Sequence, residues 1–340
     1  MSALAALSLG LAGCADDDDL PPLTDATWLS CPAPGDLPFR LASRGFASET
    51  NTTIAEMRPR NKDEASDTLG NPGGAIANTY LADTALPAAG PLAFAGLKAR
   101  TQTGNGLYST PLAGEDVSLW SYEDDAWTQR DRGVTDENGM YTLAPGDVAN
   151  GHVVFSMLEA DGSCAEHYSY LYPPGTKIVV SDIDGTLTAN DNELLMQTPD
   201  ATYVQKTKGE AVALTQAWAA KGYPVIYLTA RPHVYRVETR VWLRDLAFAA
   251  GPVITATDLS DASAYKTRWL QRMITTFGWV PVAAYGNAGR DISAYANAGI
   301  AKDRTFIIGE LAGTEGTIAI PDDDYAAHIA SFVAGQPAAN

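Results

Sequence analysis

The sequence predicts an α/β protein: a Rossmann-like parallel sheet preceded by a small β-sandwich domain. Three observations carry that expectation. Strand-like and helix-like segments alternate after residue 175, short alternating strands fill the stretch from about 91 to 174, and Pro173-Pro174-Gly175 separates the two. In the second part, apolar runs at Lys177–Ser181, Pro224–Leu228, Pro252–Thr255, Val282–Tyr285 and Arg304–Ile308 read as strands. Helical spacing fits Val204–Lys221, Val234–Ala249, Ala264–Phe277 and Arg290–Ala298. Such alternation gives a parallel sheet covered on both faces, with ligands at the carboxyl ends of its strands.

In the first part, Val117–Tyr122, Val153–Leu158 and Ala165–Tyr172 read as strands, with hairpin-type turns at Asn138-Gly139 and Asp161-Gly162. Several short strands at close spacing suit a sandwich. From Leu20 to about Leu86 the chain is rich in Pro, Ala, Thr, Asn and Gly, with weak periodicity and a turn at Asn71-Pro72-Gly73-Gly74. It reads as an extension with a few ordered pieces. The expected divisions are therefore 1–14, 15–86, 87–174 and 175–335, and no internal repeat is evident.

With 340 residues, 46% hydrophobic and 19% charged, the chain suits two globular domains. A net charge of −18 with no Lys/Arg cluster argues against nucleic acid as a partner and against unaided attraction to anionic lipid. The run Met1–Gly13 is too short to span a bilayer and has the character of a secretory signal. Its end, Leu11-Ala12-Gly13-Cys14, resembles a bacterial lipoprotein signal, although the positive n-region is missing. That resemblance implies lipidation of Cys14, a membrane anchor and a cell-envelope location, with Asp16–Asp19 as a solvated spacer. The alternative is an unprocessed tail with an incidental Cys. Cys31 and Cys164 either pair in an oxidising compartment or are two free thiols. Three spread cysteines and four scattered histidines make no zinc pattern.

The chemistry concentrates in Ile178-Val-Val-Ser-Asp182-Ile-Asp184-Gly185-Thr186-Leu-Thr188. Two carboxylates one residue apart repel and raise each other's pKa, and a divalent cation such as Mg²⁺ removes that conflict. Asp182 and Asp184 point to one side of the extended chain, and Gly185 permits a tight turn in front of them. An acidic loop capping a helix is the plainer alternative. A second strand ends Thr229-Ala230-Arg231-Pro232, where a hydroxyl beside a helix start suits a phosphate oxygen, though Thr is common in strands. Lys266, taken alone, reads as a surface lysine on an amphipathic helix. The last piece is Tyr285-Gly286-Asn287-Ala288-Gly289-Arg290-Asp291, a strand entering a Gly-rich turn with an acid. Asp291 also fits a helix N-terminal acid, which leaves Gly286-Asn287 unexplained.

Together these four pieces resemble the haloacid dehalogenase superfamily of phosphohydrolases. The resemblance implies that Asp182 attacks phosphorus to form an aspartyl-phosphate and that Asp184 protonates the leaving oxygen and later deprotonates water. It implies Mg²⁺ on Asp182, the Asp184 backbone carbonyl and Asp291, with Thr229 and Lys266 on the transferring group. Gly185, Thr186, Arg231 and Asn287 complete the expected substrate-binding set, Asn287 as a weaker contact. About forty residues separate Thr186 from Thr229, and fewer separate Thr229 from Lys266. The expected helices and strands consume both intervals, so a capless fold with an open site is expected.

Within the superfamily, the first Asp motif, Ala230-Arg231 and Gly286-Asn287-x-x-x-Asp291 resemble lipin-type phosphatidate phosphatases. Residues 90–310 are similar to the C-terminal part of retinal degeneration B-type phosphatidylinositol transfer proteins. That similarity rests on Gly114-Glu115-Asp116-Val117, Thr135-Asp136-Glu137-Asn138-Gly139, Pro173-Pro174-Gly175-Thr176, Thr229-Ala230-Arg231-Pro232 and Trp242-Leu243. Those transfer proteins generally lack the first Asp and are thought to bind phosphatidic acid without hydrolysing it, whereas this chain keeps Asp182. The expectation is a Mg²⁺-dependent phosphatase acting on phosphatidate or a related lipid phosphate. The alternatives are a phosphatidic-acid-binding module without turnover, a general envelope phosphatase, or a structural envelope lipoprotein.

Overall fold

A computed structural model describes residues 45–57, 63–79, 92–100, 107–123, 126–137, 139–142, 151, 153–197, 203–256 and 262–339. The expectations for Cys14, Asp16–Asp19 and Cys31 lie outside these residues. Cys164 is disulfide-bonded.

Helix α1 (Glu49–Met57) precedes three short strands, β1 (Asp63–Ala65), β2 (Thr68–Gly70) and β3 (Ile76–Asn78). There follow β4 (Leu92–Arg100), β5 (Leu107–Pro111), β6 (Asp116–Glu123), β7 (Ala126–Val134), β8 (Met140–Thr142), β9 (Val153–Leu158) and β10 (Cys164–Leu171). They form two sheets: β1-β4-β5 with β8 also on β4, and β3-β2-β10-β9-β6-β7. Tyr141 of β8 packs on buried Leu119 of β6, joining one sheet to the other.

The stretch 63–79, read from sequence as part of an extension, is built into these sheets. Strand β2 lies parallel to β10, with Thr68 opposite Ser169 and Gly70 opposite Leu171, and Ser66, Asp67, Thr68 and Leu69 are fully buried. A three-residue strand is too short to show a period of two, and its partner lies about a hundred residues away, so nothing local announces it.

The third sheet is parallel throughout, in the order β13-β12-β11-β14-β15-β16. Its strands are β11 (Lys177–Ser181), β12 (Val225–Pro232), β13 (Val253–Ala256), β14 (Val280–Gly286), β15 (Thr305–Ile308) and β16 (Ile318–Ile320). The helices are α2 (Glu193–Gln197), α3 (Ala211–Ala219), α4 (Arg236–Asp245), α5 (Ala262–Gln271), α6 (Gly289–Asn297) and α7 (Ala326–His328). The chain is therefore an α/β protein with two six-stranded sheets, one of them parallel. Strand β11 has the expected bounds, because its near-continuous apolar run is buried on both faces. The helix expected over 204–221 is shortened to α3. Residues 203–208 instead return toward the sheet, where Ala189 N–H donates to the Lys206 carbonyl (2.7 Å) and Thr207 bridges Thr188.

From β11 the chain steps outward through β12 to β13, then crosses through α5 to β14 on the other flank of β11. That reversal is a topological switch point, and it opens a crevice at the carboxyl ends of β11 and β14. One core cluster runs from Leu69, Tyr168 and Tyr170 into Ile178, Ile226, Trp269 and Met273, so the second sheet and the parallel sheet share a core. The other face packs α3 and α4 through Trp218, Trp242 and Leu243. Among the described residues no helix is long and apolar enough to cross a membrane.

Candidate active site

Asp182 directly follows β11 at the switch point. Its N–H donates to the Tyr285 carbonyl of β14 (3.0 Å) and its own carbonyl accepts from the Ser181 hydroxyl (2.8 Å), which fixes the backbone. The side chain is 2% exposed. Oδ1 accepts from Lys266 Nζ (2.7 Å), while Oδ2 is buried without a hydrogen-bond partner. Burial pushes the carboxyl up to about 7; Lys266 opposes the rise, and Asp291 and Asp184 add to it.

Lys266, which alone reads as a surface lysine, is completely buried on α5. Its ammonium also donates to Asp291 Oδ1 (2.6 Å), so one cation bridges two acids from different elements. Burial works against the charged form, but Asp182 and Asp291 outweigh it and hold the Lys266 pKa above the ordinary lysine value. Asp291 Oδ2 accepts the N–H groups of Asn287 (3.2 Å) and Ala288 (3.0 Å) at the start of α6. Asp291 thus caps the turn and faces the site, one function with each oxygen. Gly286 is required here, because a Cβ on it would lie 2.6 Å from Asp291 Cβ.

Asp184 is turned away from this trio. Arg231 grips it through Nε (3.1 and 3.0 Å) and Nη2 (2.8 Å), and the Thr229 hydroxyl reaches it at 3.4 Å. Arg231 is itself 1% exposed on its side chain and is held by Gln205 (2.6 Å) and Thr239 of α4 (3.1 Å). In this arrangement it orients Asp184. Gly185 has φ +69°, and a Cβ there would meet Asn287 Nδ2 at 2.0 Å. Its N–H donates to the Thr188 hydroxyl (2.9 Å). The Thr186 hydroxyl donates to Asn287 Oδ1 (3.3 Å) and its carbonyl accepts from Tyr325 (3.0 Å). Asn287 Nδ2 reaches Asp191 (3.1 Å).

The structure thus gathers Asp182, Lys266 and Asp291 in one ion cluster and Asp184, Thr229 and Arg231 in a second, two residues away along the chain. Gly185, Thr186 and Asn287 form the adjoining turn. Sequence reasoning missed Gln205, Thr239, Asp191 and Tyr325, which lie outside its motifs, and gave no role to Thr188, which closes the first motif. An open cleft of about 880 Å³ adjoins the site, lined by Gly185, Asp191, Lys208, Asn287, Leu311 and Asp323 among others. Asp182, Lys266 and Asp291 are not on its wall.

Among the described residues no three His, Cys, Asp or Glu side chains gather as a metal cluster. The donors nevertheless fit a hard cation. Asp182 and Asp291 supply carboxylate oxygens across one ammonium, Asp182 Oδ2 has no hydrogen-bond partner, and oxygen-only donors suit Mg²⁺.

Residues 179–309 match the LNS2 domain of PITM 1-3. The LNS2 match spans the strand end with Asp182, the β12 terminus, α5 and the Asp291 turn. Over 232 residues the chain is 31% identical to Drosophila melanogaster "Protein retinal degeneration B", covering 66% of this chain and 18% of that protein. It is 27% identical over 215 residues to Rattus norvegicus "Membrane-associated phosphatidylinositol transfer protein 1", covering 62% of this chain and 17% of the relative. It is also 27% identical over 232 residues to Homo sapiens "Membrane-associated phosphatidylinositol transfer protein 3", covering 66% and 23%. The chain spans less than a quarter of the length of these relatives. The LNS2 match bears out the similarity to the C-terminal part of retinal degeneration B-type proteins.

The same relatives correct the expected location. They are insect and mammalian proteins, several named as membrane-associated, and this overturns the reading of a bacterial envelope lipoprotein. Leu11-Ala12-Gly13-Cys14 is a four-residue pattern of small and apolar residues, and this Ala- and Leu-rich stretch can produce it by composition alone.

Proposed function

We propose that this chain is a Mg²⁺-dependent phosphomonoesterase of the haloacid dehalogenase type, acting on phosphatidate or a related lipid phosphate. The observation that carries the reading is the charge balance at the switch point. Among the described residues, Asp182, Asp184 and Asp291 pair with Lys266 and Arg231 alone, leaving one surplus negative charge around a buried strand-end carboxylate. Such a surplus is costly and marks functional sites.

In this reading Asp182 Oδ2 attacks phosphorus, the P–O bond to the leaving group breaks, and Asp184 gives its proton to the departing oxygen. Water then attacks phosphorus, Asp184 takes a proton back, and the bond to Asp182 breaks. Lys266 offsets charge beside the nucleophile, and Thr229 lies near enough to Asp184 to bond the transferring group. Asp182, Asp291 and the Asp184 carbonyl would hold Mg²⁺, which supplies charge neutralisation between nucleophile and substrate. Arg231 grips Asp184 as a positioning residue, and that grip must loosen for proton transfer. Because Asp182 is nearly inaccessible, a covering group must also move before a phosphate reaches it.

Lipid as the substrate class is supported by relatives named for phosphatidylinositol transfer and by the lipin-like motifs. One observation favours the second reading, lipid-phosphate binding without turnover: the open cleft does not expose Asp182. Phosphate release from phosphatidate in mixed micelles, compared with soluble phosphoesters and with and without Mg²⁺, separates the two. Release that needs Mg²⁺ supports the phosphatase; saturable binding with no release supports the module.

A further inference from the structure

The turn that follows the acid pair closes on itself. The N–H groups of Thr186 (3.2 Å), Leu187 (2.8 Å) and Thr188 (3.0 Å) all donate to the Ile183 carbonyl, and the Gly185 N–H donates to the Thr188 hydroxyl. Its bonds to the rest of the fold therefore decide how it sits, and one of them comes from far along the chain. The Thr186 carbonyl accepts from the hydroxyl of Tyr325 (3.0 Å), a wholly buried residue 139 positions later. Tyr325 lies past position 309, where the LNS2 match ends.

Tyr325 also touches the strand that anchors Asp182. Its ring meets the Tyr285 ring edge-on, with centroids 6.0 Å apart and planes at 83°. The Tyr285 carbonyl in turn takes the N–H of Asp182 (3.0 Å) and the hydroxyl of Tyr295 (2.6 Å). One side chain thus lies against both the turn beyond Asp184 and the strand beside Asp182. A strained path delivers it. Asp322 and Asp323 have φ of +58° and +54°, a left-handed conformation that is costly for any residue with a side chain. Such strain persists only where the surroundings hold it. Here Lys208 pairs with Asp323 (3.0 Å), the Gly209 N–H donates to the Asp323 carbonyl (3.2 Å), and the Tyr325 N–H donates to the Gly209 carbonyl (3.0 Å). Burial, with Asp182 nearby, pushes the Tyr325 pKa up, so its hydroxyl keeps its proton and stays a donor.

We propose that Tyr325 is a positioning residue whose hydroxyl fixes the Gly185-Thr186 turn, so that Asp184 moves by its side chain alone. The proposal rests on the phosphatase reading above, in which Asp184 must leave Arg231 to exchange a proton. A carboxylate that swings on a fixed backbone returns to the same place for the second step, and one carried on a loose turn does not. Tyr325 acts through the turn.

The test compares two variants with the parent. Tyr325→Phe keeps the ring and removes the hydroxyl. Tyr223→Phe removes the hydroxyl of another buried tyrosine, one that bonds the Pro337 carbonyl (3.1 Å) of the same C-terminal segment away from the turn. Amide hydrogen exchange is followed in all three, and kcat and KM are measured on a water-soluble phosphate ester with Mg²⁺. In Tyr325→Phe the amides of Thr186, Leu187 and Thr188 are expected to exchange about tenfold faster, with those of β12 unchanged. Its kcat should fall about tenfold, with KM within about twofold of the parent. Tyr223→Phe should match the parent in each respect. Equal exchange of the turn in parent and Tyr325→Phe overturns the proposal. So does acceleration shared by β12, which is a loss of general stability, and so does an unchanged kcat on a loosened turn. If the parent releases no phosphate from any ester, the phosphatase reading fails, and exchange of the turn alone decides whether Tyr325 fixes it.

Discussion

Two clusters of buried charge meet helix α4, and they are built differently. At the junction with the second sheet, Asp67 pairs with Arg236, both essentially inaccessible, and Asp67 also accepts the Tyr168 N–H (3.0 Å). Arg240 donates to the Glu166 carbonyl (2.9 Å), lies 3.7 Å from its carboxylate and covers the Tyr168 ring. His167 beside them is held neutral, because burial drives its pKa down to about 3. Two acids therefore meet two cations. At the candidate site, three acids meet two. Unmade hydrogen bonds occur in both clusters, at Arg236 Nε and Nη1 as well as at Asp182 Oδ2, so they do not distinguish the pair. The charge count does. A balanced buried network joins two layers of the fold, and one with surplus negative charge awaits a cation.

Removing the proposed nucleophile should have the largest effect. Asp182→Asn should lower phosphate release by about 10³-fold or more, while metal-free protein at pH 8 melts at or above the parent temperature, since one crowding charge is gone. Near-normal turnover would remove Asp182 from the chemistry. Lys266→Met should be the most destabilising change at the site. It leaves Asp182 and Asp291 buried without their shared cation, at a cost of about 3–5 kcal/mol in urea unfolding, and it should abolish activity. Asp67→Asn keeps an acceptor for Arg236 and should cost less, about 1–3 kcal/mol, with turnover per folded molecule unchanged. Loss of turnover at full stability there would show that the balanced cluster also serves the reaction.

The smallest effect is in the pH dependence of stability. In the folded, metal-free protein the Asp182 carboxyl titrates near 7 against an ordinary 3.8. Between these values the folded chain holds a proton that the unfolded chain has released. The contribution of Asp182 is therefore fully present below about pH 4 and is lost as the pH rises through about 7. Denaturant midpoints in chelator across that window should fall for the parent and fall less for Asp182→Asn.

Much of the parallel sheet was legible because its strands are long apolar runs and its motifs fall at their ends. Asp182 could be placed at a strand end, and Asp291 at the helix start beyond another strand, from the motifs alone. The burial of Lys266 could not, since a helical lysine reads as solvent-exposed until the opposing acids are positioned by folding. The bond from Arg231 to Gln205 was not legible, because Gln205 sits in a stretch with helical spacing. The returning segment beside Gln205 is fixed by the Ala189 N–H on the Lys206 carbonyl, and no periodicity encodes that. Asp67 was invisible for the same kind of reason: its strand has three residues, and its partner Arg236 is 169 positions away.

If the surplus charge around Asp182 serves covalent phosphoryl transfer, the phosphoryl group must rest on Asp182 during turnover. The most direct test is to quench the purified chain in acid during turnover of phosphatidate with Mg²⁺, reduce with borohydride, and sequence the peptides by mass spectrometry. An aspartyl-phosphate is reduced to homoserine, and that product is expected at position 182 and not at 184 or 291. Phosphate release with position 182 unmodified, or no release under any condition that saturates lipid binding, would contradict it.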